Sequence, residues 1–527
     1  MTALLNFKVN INKEANIVIN PTFKILSLEE LKAVCSKDRL HERKIVHCHG
    51  VFDLLHLGHV RHFKEARSLG DVLVVTLTAD AFVNKGPGRP VFNEIQRAEM
   101  LASLEYIDYV SINHAPDAEN VIHAVQPHLY IKGTDYANAE EDVTGKIVDE
   151  RRAVESFGGK IHFTNDVTFS SSTLINQHLN IFEPKVREYL DSLRADGGLD
   201  EILSMIESIK DYKVLLVGDC IIDEYDYVTP MAKSAKENII ATRYQDKEVF
   251  AGGVIAAANH VASFCKEVEV ITVLGEKDSY EDVIRSSLLS NVKLSHLDRD
   301  FSPTTRKVRF VDPNYTRKMF EVYYMDDSPM HATLQKKLNE EIMQKARHAD
   351  VVIITDFGHS LIDSSTIDIL VQESKFLAVN VQTNSANIGF NLIDKYPKAD
   401  YVCIDEPEAR LATRDKQTDI TDIICTKLPE IIDCKKIIIT HGKHGCITHE
   451  NDFGARTIPA LTKTVVDTVG AGDAFLAVTS PLVAAGHSLQ KIGFIGNIVG
   501  SMKVGIVGHR KSVDKASVIK AITALLK

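Results

Sequence analysis

Two stretches of the chain repeat one grammar: a short apolar run, a turn, then a segment with the 3.6-residue period of an amphipathic helix. The first starts at KIVHCH (Lys44 to His49) and continues through DVLVVTLT, YIDYVSIN, HLYIKG and GKIHFT. The second starts at YKVLLVGD (Tyr212 to Asp219) and continues through VEVITVLG, ADVVIITD, KFLAVNV, ADYVCID and KKIIITHG before a helix-rich end. This pattern predicts α/β layers built on parallel sheets in both stretches. Between them, EPKVREYLDSLRADGGLDEILSMIESIK is charged and helix-like with Gly197-Gly198 as a break, so it reads as a helical connector. The expected organisation is an extension over 1–43, a first module over 44–182, a connector over 183–211 and a second module over 212–527. No solenoid-length repeat or low-complexity segment interrupts it.

Length supports two folded modules, because 527 residues exceed one ordinary core. A hydrophobic share of 44% and a charged share of 25% are those of a chain that buries a core. The formal net charge of −11 leaves no basic surplus for a nucleic-acid backbone, so small phosphorylated molecules are the expected charged ligands. Eight scattered cysteines without CxxC spacing predict reduced thiols and no metal or disulfide among them. With neither a signal peptide nor an 18-residue apolar run, the expected setting is cytoplasmic, with no membrane partner.

Chemistry concentrates first in HGVFDLLHLGHVRHF, where a strand ends and a helix opens at Gly58. Carboxyl ends of strands in α/β sheets are where ligands bind, and a helix N-terminus favours anions. His56 and His59 there would add donors to phosphate oxygens and stabilise charge as pyrophosphate leaves. Taken alone, an HxxH pair reads more readily as surface or first-turn histidines. Asp53 reads as a cap or buried turn residue, and Arg97 stays open between a solvated helix residue and a phosphate contact.

The wider pattern, GxFDxLHxGH with NKGPGRPVFNEIQRAEMLASLEYIDYV, PHLYIKGTDY and FSSSTLIN, resembles the nucleotidyltransferases of cytidylyltransferase type over residues 44 to 180. It is most similar to the adenylyltransferase half of the bifunctional bacterial heptose-phosphate kinase/adenylyltransferases. The resemblance implies that His56 and His59 contact the triphosphate and Lys85 neutralises phosphate charge. It also implies that Gly50, Phe52, Lys132 and Ser170, Ser171, Ser172 and Thr173 bind the nucleotide. The implied reaction is in-line attack of a sugar or polyol phosphate on the α-phosphorus of ATP or CTP, with Mg²⁺ as cofactor.

The second concentration is DTVGAGDAF (Asp467 to Phe475). Gly470 and Gly472 place backbone N–H groups at the start of an apolar helix, an anion hole for a transferred phosphoryl group. Asp473 in the first turn can accept the proton of an attacking hydroxyl. A lone GxGD would more often be a plain helix start; the whole nonapeptide is more specific. With VLLVGDCIIDEY, AGG, PTTRKVRF, ADYVCIDEPEA, IITHGKHGC and GNIVGSMKVG it resembles the ribokinase-like (PfkB) carbohydrate kinases over residues 212 to 525.

That resemblance implies Asp473 as base, with Gly470, Ala471 and Gly472 as the anion hole and Asp223, Gly252 and Gly253 at the sugar. Thr440, Gly442 and Asn497 fall in the ATP region, and Asp405 and Glu408 near an Mg²⁺–phosphate network. It further implies a small β lid, drawn from NIIATRYQDKEVF and VRFVDPNYTRKMFEVYYM, of a kind that pairs chains, so that a homodimer or higher homo-oligomer is expected. Two departures stand out. Ala256 occupies the place where heptose kinases carry a sugar-binding Asn, and NVQTNSANIGFN replaces an acidic-basic element. The expected fold is thus two-domain α/β: a Rossmann-like HxGH nucleotidyltransferase fold, then a ribokinase-like fold with a β lid. The expected function is bifunctional nucleotide-sugar synthesis. The alternatives are a CTP-dependent polyol-phosphate cytidylyltransferase beside a kinase of another step, or one half retained as a binding module.

Overall fold

A computed structural model of the chain describes residues 21–133, 146–164, 175–176, 182–233, 236–314, 317–462 and 465–527. Contacts divide it into two units, Met1–Val83 with Arg89–Gln177, and Asn84–Gly88 with His178–Lys527.

The smaller unit is a five-stranded parallel sheet in the order β3-β2-β1-β4-β5. Its strands are β1 Ile45–Gly50, β2 Val72–Thr78, β3 Tyr109–Asn113, β4 Leu129–Gly133 and β5 Lys160–Thr164. Nearly every residue of β2 is buried, as expected for a strand covered on both faces. Strand order reverses at β1, and β1 leads into the helix Leu57–Ser68, so the histidine motif lies at the switch point of the sheet.

The larger unit is built on a nine-stranded sheet, β10-β9-β6-β13-β14-β15-β16-β17-β18. Six of these strands carry the apolar runs read from sequence: β6 Lys213–Gly218, β9 Glu267–Lys277, β13 Val351–Asp356, β14 Leu377–Val381, β15 Tyr401–Asp405 and β16 Lys436–Thr440. They are joined by β10 Val292–Pro303, β17 Cys446–Glu450 and β18 Gly454–Ile458, the last two antiparallel. A separate four-stranded sheet, β12-β11-β7-β8, forms the lid from β7 Cys220–Lys233, β8 Ile240–Gly253, β11 Arg306–Asp312 and β12 Arg317–Tyr324.

The segment read as a connector forms helices Pro184–Ala195 and Gly198–Ser208. Gly197 between them adopts φ +65°, and a Cβ on Gly198 would lie 2.5 Å from the Leu193 carbonyl oxygen, so the glycine pair makes the corner. Val186, Leu190, Leu193, Ile202 and Ile206 are buried in the same core as the helix that carries Asp473.

Candidate active sites

In the smaller unit, β1 ends at Gly50, where a Cβ would come 3.0 Å from the Phe52 ring, and Phe52 takes φ +49° to turn the chain. The Phe52 ring is buried and packs edge-on against His59 at 5.5 Å, forming a wall behind it. His56 is the N-cap of the helix Leu57–Ser68, its Nδ1 accepting the Gly58 N–H at 3.1 Å. A neutral His56 ring so engaged carries its proton on Nε2. The His56 and His59 ring centroids lie 3.9 Å apart. The structure thus brings these two together at a helix start.

The neighbouring histidines do something else. His49 Nδ1 and His47 Nε2 each lie 2.8 Å from Thr76 Oγ1, and His62 Nδ1 lies 2.8 Å from Thr164 Oγ1. Burial, then Lys132, pushes His47 down to about 3 and His62 to about 4, so both rings are neutral at ordinary pH.

Asp53 is wholly buried; it accepts the Val91 N–H at 2.7 Å and pairs with Arg89 at 3.3 Å, which makes it a turn residue. Arg97 is neither of the two things its sequence left open. It is fully buried and donates to the carbonyls of Phe92, Val51 and Thr78 and to Asp80, tying the turn after β1 to the end of β2. Lys132 is paired with Glu150 at 2.8 Å, both largely buried. Lys85 falls in Asn84–Gly88, the segment grouped with the larger unit. Ser170, Ser171, Ser172 and Thr173 lie outside the described residues.

In the larger unit a cleft of about 610 Å³ collects most of the kinase-motif residues: Asp223, Gly253, Asp405, Glu408, Thr440 and Gly442, with the turn Gly470 to Asp473. Gly470 adopts φ +74° as N-cap of the helix Ala471–Ala484, and this turn leaves first-turn N–H groups free of intrahelical partners. Asp473 is buried in the first turn; burial pushes its carboxyl up to about 6, although His509, Lys503 and a hydrogen bond from Gln382 Nε2 oppose the rise. Asp223 is also buried, yet Arg309 and His509 outweigh burial and hold its carboxyl well below the usual range. Gly252 makes that geometry possible, since a Cβ there would lie 2.1 Å from Asp223 Oδ2.

Asp405 and Glu408 close a capping box on the helix Glu406–Thr413, each side chain accepting the other's backbone N–H at 2.8 Å. Burial, then the Asp405 charge, pushes Glu408 up to about 8. Asn497 is not part of the cleft wall; its amide donates to the Ile458 and Pro459 carbonyls at 3.2 and 3.1 Å.

Sequence reasoning missed four residues that the fold brings here. Gln382, from the departing NVQTN element, donates to Asp473, while Asn384, Asn387 and Asn391 donate to backbone carbonyls of Asp356 and Phe357. Lys503 is fully buried and donates to the carbonyls of Val469 and Gly508 at 2.7 and 2.8 Å, holding the turn before Gly470. Lys307 lines the cleft from the lid, largely buried, and among the described residues its Nζ makes no hydrogen bond or ion pair. His509 lies 3.2 Å from Asp223 through Nε2. The basic spacing of PTTRKVRF was a visible signal for Lys307, Lys503 stands in GNIVGSMKVG and Gln382 in the departing NVQTN element, while His509 lies outside any motif. Asp467, the first residue of the nonapeptide, accepts from Lys318 at 2.6 Å and Tyr225 at 2.7 Å, so lid strands hold the turn.

The model of the pfkB family carbohydrate kinases matches residues 211–516, more than half the chain. The chain belongs to the pfkB family. A cytidylyltransferase-like model matches residues 47–178. The molecule is therefore a two-domain α/β protein with a cytidylyltransferase-like domain followed by a ribokinase-like kinase domain. Among curated proteins it is similar to the bifunctional protein HldE of Geobacter metallireducens, 39% identical over 32% of this chain and 32% of that one. The HldE of Aliarcobacter butzleri is 42% identical over 27% and 30%. The chain thus spans about a third of the length of these relatives, and the match falls in its N-terminal part. Among solved structures, Arabidopsis thaliana ribokinase with ribose and ATP is 18% identical with a TM-score of 0.46, covering 60% of this chain and 99% of that one. Escherichia coli phosphofructokinase-2 with fructose-6-phosphate is 13% identical with a TM-score of 0.48, covering 60% and 100%.

Proposed function

We propose that the chain is a bifunctional enzyme of nucleotide-sugar synthesis. Its larger domain transfers the γ-phosphoryl group of ATP to a sugar or sugar phosphate, and its smaller domain transfers a nucleotidyl group to a sugar phosphate with release of pyrophosphate. The observation that carries the kinase half is the buried Asp473 beside the Gly470 turn, in one cleft with Asp223. The acceptor hydroxyl oxygen forms a bond to the γ-phosphorus as the bond to the β-phosphate oxygen breaks, and Asp473 takes the hydroxyl proton. Asp223, kept ionised by Arg309 and His509, accepts hydrogen bonds from other acceptor hydroxyls. The Lys307 ammonium, which lies over the Tyr323 ring at 5.2 Å and lines the cleft, supplies positive charge to a phosphorylated substrate.

Mg²⁺ would neutralise charge along the nucleotide phosphates. Among the described residues no three His, Cys, Asp or Glu converge on one point, and Asp405 and Glu408 are engaged with each other's backbone. Their carboxyl oxygens, lining the cleft, fit an ion held indirectly, through water, on the phosphate side of the cleft.

In the smaller domain, a sugar-phosphate oxygen attacks the α-phosphorus while the bond to the β-phosphate breaks. His56 and His59 at the helix start stabilise the charge gathering on pyrophosphate. The adenylyl donor and an activated heptose or related sugar are the reading favoured by the similarity to HldE proteins. The exposed apolar side chains of the lid, among them Met231, Ile240, Tyr244 and Phe320, support pairing into a homodimer.

The test is a pair of variants assayed for both reactions. Asp473→Asn abolishes phosphotransfer and leaves pyrophosphate release intact; His59→Ala lowers pyrophosphate release by about 10²-fold or more and leaves phosphotransfer intact. An unchanged rate in either pairing removes that residue from its role. Pyrophosphate release with CTP and a polyol phosphate, and none with ATP, moves the smaller domain to the cytidylyltransferase reading.

A further inference from the structure

Two buried charges of opposite sign join the turn before Gly470 to the segment that carries His509. Asp467 accepts the Val469 N–H at 3.2 Å and the Gly508 N–H at 2.8 Å. Lys503, the last residue of the helix Leu489–Lys503, donates to the carbonyl oxygens of the same two residues at 2.7 and 2.8 Å. Val469 and Gly508 are thus each held through both N–H and C=O. Gly470 and His509 follow them directly in the chain: the first is the N-cap of the helix that carries Asp473, and the second meets Asp223. A Cβ on Gly470 would lie 2.6 Å from His509 Cε1 and 3.4 Å from Lys503 Cε, so the lysine stem runs behind the turn.

The charges around this clamp are not all paired by contact. Asp467 has Lys318 at 2.6 Å, and Asp223 has Arg309. Lys503 is fully buried and, among the described residues, has no carboxylate in ion-pair contact; its partners are the two carbonyls. Burial lowers its ammonium from the ordinary lysine value, Lys318 acts in the same direction, and Asp467, Asp473 and Asp223 oppose the fall. Asp473 is in the matching position. It is buried, makes no ion pair among the described residues, and has the neutral Gln382 amide as its hydrogen-bond partner. Of the charged groups that face it, His509 and Lys503 favour its ionised form, while Asp223 and Glu408 oppose it. An ammonium taken out of water without a contacting counter-charge destabilises a fold, and perturbed groups of this kind gather where a site uses their charge.

We propose that Lys503 is a positioning residue of the kinase site, a built-in cation that fixes the Gly470 turn to the His509 segment and serves as counter-charge to Asp473. The inference rests on the kinase reading above. Being fully buried, Lys503 acts through Val469 and Gly508 and through its field. When the acceptor oxygen bonds to the γ-phosphorus and the bond to the β-phosphate oxygen breaks, the hydroxyl proton passes to Asp473. A positive charge fixed behind the turn keeps Asp473 ionised before that step and stabilises the negative phosphoryl group beside it.

The experiment uses the full chain and three variants: Lys503→Met, which keeps the stem and removes the charge, Asp473→Asn, and the two combined. Phosphotransfer is followed as kcat and KM from about pH 5 to about pH 9. In Lys503→Met the inflection of kcat/KM moves from about 6 to about 7 or above, kcat on the plateau falls about tenfold or more, and the acceptor KM stays within about threefold. A lysine with a merely structural role lowers kcat and leaves the inflection in place, and that outcome overturns the inference while the kinase reading stands. Thermal unfolding at pH 7.5 gives a second readout, because Lys503→Met lowers Tm less in the Asp473→Asn background than in the wild type if the two charges are coupled. Should Lys503→Met fail to fold alone, a folded double variant supports the coupling. Equal Tm losses in both backgrounds, or failure of both proteins to fold, overturns it. Silence of the wild type with ATP and every sugar or sugar phosphate overturns the kinase reading and this inference together.

Discussion

At the scale of single residues, the kinase cleft places two carboxylates in opposite states. Asp223 has Arg309 and His509 to hold its charge, while Asp473 has burial against it and sits near 6. In the role proposed for it as base, Asp473 must be deprotonated to work, so phosphotransfer should rise with pH through about 6 and level off above it, a profile measured as kcat/KM from pH 5 to 8. The same shift has a stability consequence of defined sign. A carboxyl whose folded pKa lies above its unfolded one binds its proton more tightly when folded, so the fold loses stability as pH rises from about 4 through about 6. Asp473→Asn removes that loss, and thermal unfolding at pH 7.5 should show the inactive variant to be the more stable, by roughly 1–3 kcal/mol. A variant less stable than wild type would mean that the carboxylate is better compensated in the fold than its burial implies.

At the scale of elements, the helices Pro184–Ala195 and Gly198–Ser208 decide where the kinase domain begins. Their apolar faces, with Leu190 and Leu193, share a core with the helix Ala471–Ala484. Leu190→Ala should destabilise the larger unit by about 2–5 kcal/mol. A fragment starting at residue 212 should unfold at lower denaturant than one starting at residue 178, and equal midpoints would return these helices to the status of a linker. Their charged surface made them read as a connector; the apolar positions that pack inward are spaced at helical intervals within it. Lid strand β7 was hidden for a related reason. CIIDEYDYVTPMAK carries Asp223 to Asp226 inside the motif VLLVGDCIIDEY and was not among the lid candidates, yet it runs unbroken as a strand because β8 and β11 pair on both of its edges.

At the scale of the whole molecule, two domains with separate chemistry lie on one chain. If intermediates leave one site before entering the other, a mixture of Asp473→Asn and His59→Ala proteins should restore the overall conversion of acceptor to nucleotide sugar, at a rate that depends on total protein and not on intact chains. No conversion in the mixture, with each single activity retained, would mean that transfer requires both sites in one chain. Among the described residues no helix is long and apolar enough to cross a membrane.

The sequence by itself determined the two α/β modules, the strand-to-helix turns and the motifs on them, because short apolar runs, glycine spacing and first-turn carboxylates act locally. It also carried Asp473, Gly470, Asp223 and the His56–His59 pair as candidates, because each stands in a short local motif. Only the tertiary structure decided what distant residues do with one another. Arg97 became a buried clamp because three carbonyls and a carboxylate from separate segments converge on it. Lys503 joined the kinase site from GNIVGSMKVG, where no local pattern marked its partners, His509 from a segment without a motif, and Gln382 from an element whose acidic-basic pair was missing. The physical reason is the same in each case: a polar group taken from water must find its partner inside the fold, and that partner is set by which strands and helices pack together, over separations of tens to hundreds of residues, where periodicity carries no information.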